Sequence, residues 1–237
     1  MCFSETQSYI HTGILVVAGV YALPNYRLAI PAFFFALKEL LQGLLYKYQG
    51  DDEKLKLFAA LSWIHISLHP LMYNLVFSNF VPNHTTFWYV IFGLCIIYSL
   101  IMIPQLNEFD FQNDPDCSDK IGKGDFCSKK TGAYIGKYHI GYTFNTDVPF
   151  SPIDEWTYYQ ILGFGPALLT KARSLSILQA FLAILIYVIF NELNGIREWP
   201  LSVTPYNGEK AAIWCYLSIV LLLPIILFEK NIKKLLK

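Results

Sequence analysis

Apolar residues arrive in long blocks along this chain, and short polar loops divide them. Seven blocks stand out: Tyr9–Leu23, Leu28–Tyr46, Leu55–Phe80, Phe87–Ile103, Trp156–Thr170, Leu175–Asn191 and Ala211–Phe228. Crossing a bilayer as a helix takes about 20 residues, with a range near 17–25, so most of these blocks read as spans. The first and fifth are short by that measure, which leaves five spans as the alternative to seven. Trp88, Trp156, Trp199 and Trp214 fall near block ends, where interfacial tryptophan belongs. Pro31, Pro70, Pro166 and Pro224 lie inside blocks, a position tolerated where neighbouring helices re-satisfy the freed carbonyls. Residues 105–154 form one large polar loop. The pattern predicts an all-α, polytopic transmembrane helix bundle of about seven spans, a single domain over residues 1–237.

Composition agrees. Hydrophobic residues are 54% of the chain and charged ones 15%, against roughly 25% charged in soluble domains. The 237 residues are nearly used up by blocks and loop, which leaves no room for a separate soluble catalytic domain. The formal charge is zero and no basic stripe with interleaved aromatics occurs, which argues against a nucleic-acid partner. The first seven residues lack Lys and Arg, so the first block is expected to be retained and not cleaved as a signal.

Loop charge gives a direction. With seven spans, one face collects Arg27, Lys171, Arg173, Lys230, Lys233, Lys234 and Lys237. The other collects Lys47, Lys54, Lys56, Arg197 and Lys210 in short loops. Seven against five favours a cytoplasmic C-terminus and an outside N-terminus under the positive-inside rule. Cys117 and Cys127 sit in the long loop. Paired, they would contribute roughly 2.5–3 kcal/mol in the chain-entropy model and would mark that loop as outside; two unpaired thiols is the plainer alternative. The sequon Asn83-His84-Thr85 falls on the cytoplasmic side in this topology, and such triplets are common by chance.

Candidate chemistry lies where polar residues interrupt apolar blocks. Lys38 and Glu39 sit mid-block, where a charge costs about 2.5–3.5 kcal/mol on insertion scales. Gln42 shares the Lys38 face, four residues on, while Glu39 turns about 100° away, so the two charges are expected to find partners on other helices. The third block offers Ser62, His65 and His69 on one stripe, and His11 and Tyr73 are within reach of such a cluster. As titratable steps, Lys38, Glu39, Gln42, His65 and His69 would line an ion or proton pathway. As a metal site, His65 and His69 would hold zinc with at least one further ligand. The plain alternative is a buried ion pair and hydrogen-bonded histidines that fix packing. Seven-span zinc hydrolases of the ceramidase type share only the helix count, since no Asp lies inside any block and the last block has no His. Retinal proteins need a Lys in the last block, where there is none.

Met1-Cys2-Phe3-Ser4, then Ser8, Ile30-Pro31, Phe33 and Lys38-Glu39-Leu40-Leu41-Gln42-Gly43, followed by His139-Ile140-Gly141-Tyr142, Gly165-Pro166-Ala167-Leu168-Leu169 and Trp214-Cys215, resembles a family of uncharacterised, mainly bacterial multi-pass membrane proteins that begin Met-Cys-Phe-Ser. Its members more often carry paired glutamines and Glu-Gly around the 38–43 patch. The resemblance implies a multi-helix membrane bundle and supplies no activity. Within it, loss of Met1 would leave Cys2 with a free amine and thiol, a bidentate ligand for copper, with His139 on the same face. The simpler reading makes Ser4 a helix N-cap and Cys2 a packing residue.

Three functions follow, in order: a small-ion, proton or small-solute pathway; a zinc- or copper-binding membrane enzyme or sensor; and a structural or assembly protein. The lipid bilayer is the expected partner in each.

Overall fold

A computed structural model describes residues 4–81, 83–103, 133–135, 140–142, 155–193 and 221–236. Each of the first three helices starts where a side chain takes up a free backbone N–H. Ser4 caps α1 (Glu5–Tyr21) by accepting from the Gln7 N–H, as its N-cap reading expects. Asn25 caps α2 (Tyr26–Lys47) through Arg27, and Asp51 caps α3 (Asp52–Ser67) through Lys54. α4 (His69–Phe80) and α5 (Thr85–Met102) follow, then α6 (Glu155–Leu168), α7 (Arg173–Leu193), α8 (221–227) and α9 (Glu229–Leu235). Helix ends match the apolar blocks to within a few residues, except that only residues 221–228 of the last block are described.

Among the described residues, three helical stretches are long and apolar enough to cross a membrane: Tyr26–Lys47, Glu53–Phe80 and Thr85–Met102. That is fewer than the seven blocks. α1 has 17 residues and α6 has 14, the two blocks already short by sequence.

The third block is not one straight helix. It breaks at Leu68, between α3 and α4. Pro70 has no N–H to continue the ladder, and its ring disfavours helical backbone in the residue before it. α5 braces the break: the Ser99 hydroxyl donates to the Ser67 carbonyl at 2.7 Å, and the Trp63 indole of α3 donates to the Met102 carbonyl at 2.9 Å.

One small sheet was not anticipated. β1 (Ala133–Ile135) and β2 (Ile140–Tyr142) pair antiparallel, Ala133 opposite Tyr142 and Ile135 opposite Ile140. Ala133 and Ile140 bury against Leu45, Leu55 and Ala59, so the hairpin covers the α2–α3 end.

α1 lies closely on α2 because glycines let the rings in. A Cβ at Gly43 would stand 2.7 Å from the Tyr9 ring, and one at Gly19 would stand 2.9 Å from the Phe33 ring, whereas Gly13 has open space. Gly13→Ala is therefore expected to stabilise by up to about 1 kcal/mol through helix propensity. Gly43→Ala forfeits that gain, because overpacking at the Tyr9 contact costs about 1–3 kcal/mol. Unfolding of the two variants in detergent checks the difference, and equal effects would refute the close approach.

Around its apolar core, the bundle also turns large apolar side chains outward and holds polar ones inside. Val17, Val20, Val90, Leu100 and Phe181 stand exposed, while Lys38, Glu39, Gln42, His65, His69 and Asn74 are buried.

Candidate functional site

The buried polar residues of α2 are held together at mid-helix. Lys38, Glu39 and Gln42 are all at most 4% exposed. The Lys38 ammonium donates to Glu39 Oε1 at 2.7 Å and to Gln42 Oε1 at 2.8 Å. The Gln42 contact follows from their shared helix face. The Glu39 contact corrects the expectation that adjacent residues turn apart: the four-carbon lysine stem curls around the helix and reaches its neighbour. Glu39 does gain a partner from another helix, since His11 Nδ1 of α1 lies 3.4 Å from Glu39 Oε2.

Across from this patch, the α3–α4 break presents two imidazoles. The His65 ring stacks on Phe34 of α2 at 3.7 Å, and its Nε2 lies 2.7 Å from the Phe34 carbonyl oxygen. His69 Nε2 lies 3.0 Å from His65 Nδ1, and His69 Nδ1 lies 3.0 Å from the Tyr159 hydroxyl of α6. That hydroxyl is in turn 3.2 Å from the Tyr73 hydroxyl of α4.

One acceptor orders the protons along this chain. A carbonyl only accepts, so His65 Nε2 carries a hydrogen and, in the neutral ring, Nδ1 accepts. His69 Nε2 must then donate, which leaves His69 Nδ1 as an acceptor facing the Tyr159 hydroxyl, whose single hydrogen is shared between that nitrogen and the Tyr73 oxygen. All four ring nitrogens are thereby engaged with the protein. A shared metal would need one nitrogen from each ring aimed at a common point, together with a third ligand. The two facing nitrogens bond each other instead. No group of three His, Cys, Asp or Glu side chains among the described residues is arranged to hold a metal. Cys2 and His139, and the Cys117–Cys127 pair, lie outside the described residues.

Among the described residues, three buried polar atoms have no hydrogen-bond partner: Gln42 Nε2, Ser62 Oγ and Asn74 Oδ1. Ser62 precedes His65 by about one turn on α3, and Lys38 follows Phe34 by about one turn on α2. Because α2 and α3 are consecutive and antiparallel, this places Ser62 level with Lys38. Asn74 spends its amide on the Pro70 and Leu162 carbonyls and on Cys95 Sγ.

A second polar cluster ties the other end of the bundle. Glu229 Oε1 accepts from Asn25 at 2.7 Å, Asn79 at 3.1 Å and Lys233 at 2.6 Å, and Arg27 donates to the Ser78 carbonyl at 2.7 Å. Partial burial works against the Glu229 charge, but the bonds from Lys233, Asn79 and Asn25 outweigh it and hold the carboxyl below its ordinary value of 4.5. The sign follows from a depressed folded value: the anchor is at full strength above pH 4.5 and is lost as pH falls through the lower folded value. Protection of the α9 amides, taken relative to their intrinsic exchange rates at each pH, should therefore fall on acidification. Glu229→Gln should show the reduced protection already at neutral pH, and a flat protection profile in the parent would refute the anchor.

A family profile of unknown function matches residues 7–237. The chain belongs to the DUF5765 family. The match takes in the Lys38–Gln42 patch, both histidines and Tyr159, and begins after Met-Cys-Phe-Ser. Neither a curated protein nor a solved structure matches this DUF5765 chain.

Lys38, Glu39, Gln42, His65 and His69 are thus brought to one buried region of the DUF5765 fold, joined by His11 and Tyr73. Tyr159 and the Asn25–Asn79–Glu229 cluster were not singled out by sequence. A tyrosine near a block end reads as an interfacial anchor, and only the packing of α4 on α6 turns its hydroxyl toward His69. Asn79 near the end of an apolar block was the one available signal for the second cluster.

Proposed function

We propose that this chain is a multi-pass membrane protein, of about seven spans with its C-terminus cytoplasmic, that relays protons through its buried polar chain. The apolar outward faces support the membrane reading. In hydrocarbon, polar side chains are retained inside the bundle, and ionisable ones there mark pathways by default. The observation that carries the relay is the continuous contact from Tyr73 through Tyr159, His69 and His65 to the Phe34 carbonyl, with every link at 3.2 Å or less.

The step is balanced. Tyr159 gives its hydroxyl proton to His69 Nδ1 and is refilled from Tyr73, and His69 Nε2 passes one to His65 Nδ1. His65 Nε2 releases one to water on the Ser62 side, since the Phe34 carbonyl accepts a hydrogen bond but no proton; the rings and hydroxyls then reset. The onward route runs past Ser62 to the Lys38–Glu39–Gln42 group and out through His11, which is 17% exposed. The unpartnered Ser62 Oγ and Gln42 Nε2 fit this route, because buried groups of that kind are what an ordered water bonds.

The mutual neutralisation of Lys38 and Glu39 favours a second reading, in which the same bonds lock helix packing. Proton flux in reconstituted liposomes separates the two: a relay gives flux that Tyr159→Phe abolishes, and a lock gives none.

A further inference from the structure

At the end of the bundle opposite the hairpin, a cavity of about 500 Å³ opens between the α1–α2 turn and the α8–α9 junction. Tyr21, Leu28, Ile226 and Phe228 form its apolar wall, and Asn25, Lys230 and Asn231 its polar rim. Glu229 also lines it, but that carboxylate is spent on Asn25, Asn79 and Lys233. Lys230 lines the cavity and is exposed, and Lys234, also exposed, follows it by four residues on the same face of α9.

The α1–α2 junction and α9 carry Arg27, Lys230, Lys233 and Lys234, against Glu229 as the one acidic side chain among their described residues. Tyr21, Leu227 and Phe228 are more than half exposed next to it. An apolar-walled cavity with a cationic rim, set where an apolar helix meets a basic one, matches one ligand by charge and shape. Cationic clusters directly beside a membrane-crossing segment attract anionic headgroups, and the volume lies in the range of small-molecule sites.

We infer that this cavity is a binding site for the headgroup of an anionic phospholipid, with Lys230 and Lys234 contacting the phosphate and the Tyr21–Phe228 wall taking the first acyl methylenes. The inference rests on the membrane reading and is independent of the proton relay. Seated there, the lipid bridges the α1–α2 turn and α9, the same elements that Glu229 joins.

The test uses the full-length protein in detergent, given equal amounts of phosphatidylglycerol and phosphatidylcholine and read by native mass spectrometry. Phosphatidylglycerol adducts should exceed phosphatidylcholine adducts several-fold. Lys230→Gln/Lys234→Gln should bring the ratio toward one, and Lys230→Arg/Lys234→Arg should keep it. Asn231→Trp, which narrows the cavity without changing charge, should also reduce the phosphatidylglycerol adducts. Equal adducts in the parent protein would overturn the site. Loss in the Gln variant with full retention in Asn231→Trp would overturn it too, by assigning the preference to surface charge. Extraction of the protein from membranes by alkaline carbonate would instead sink the membrane reading, whatever the lipid ratio.

Discussion

Lys38→Met is expected to destabilise the protein by about 3–5 kcal/mol, the range for removing one partner of a buried ion pair. Glu39 is 2% exposed, and its Oε1 would lose the Lys38 ammonium, while Gln42 Oε1 would lose its donor. The loss comes from the stranded carboxylate more than from the missing bond. Lys38→Met/Glu39→Gln should therefore recover most of it, since replacing both charges of a buried pair is often close to neutral. Unfolding in graded detergent mixtures measures both variants. If the pair were open to water, the single substitution would cost at most about 1 kcal/mol, and the double would do no better. That outcome would remove Lys38 and Glu39 from the interior of the bundle.

The residues of this site were legible because of where they interrupt the pattern. Lys38, Glu39, Gln42, His65 and His69 each break an apolar block, and a polar group survives there only with a partner. Which partner it takes is a different matter. Helical periodicity places side-chain origins, whereas Lys38 bonds its own neighbour because its stem is long enough to cancel the angular offset. Pro70 was visible inside the third block, and the break it causes at Leu68 sets how the two imidazoles meet; spacing alone placed them on one continuous stripe. The β1–β2 hairpin has strands of three residues, too short for alternation to register inside a long loop, and it is fixed by burial of Ala133 and Ile140 against α2 and α3. The Glu229 anchor joins residues 150 and 204 positions apart, a relation that no local pattern carries.

Tyr159→Phe is expected to bring proton flux in liposomes down to the level of protein-free vesicles while the protein still folds. The substitution removes one oxygen. The ring keeps its edge contacts with Tyr73 and His69, at centroid distances of 6.2 and 6.0 Å. What disappears is the hydroxyl that lies 3.0 Å from His69 Nδ1 and 3.2 Å from the Tyr73 hydroxyl. His69→Phe cuts the chain at its centre and should abolish flux as fully. It leaves His65 Nδ1 without a donor, so a stability loss of about 1–3 kcal/mol accompanies it. The pair of variants therefore separates conduction from packing: a relay predicts equal loss of flux with unequal loss of stability. A packing role predicts that any effect on flux tracks stability, so Tyr159→Phe would be the milder change in both. Flux that survives both substitutions would mean that protons do not use the histidines, and the chain from Tyr73 to Phe34 would then be an interhelical brace.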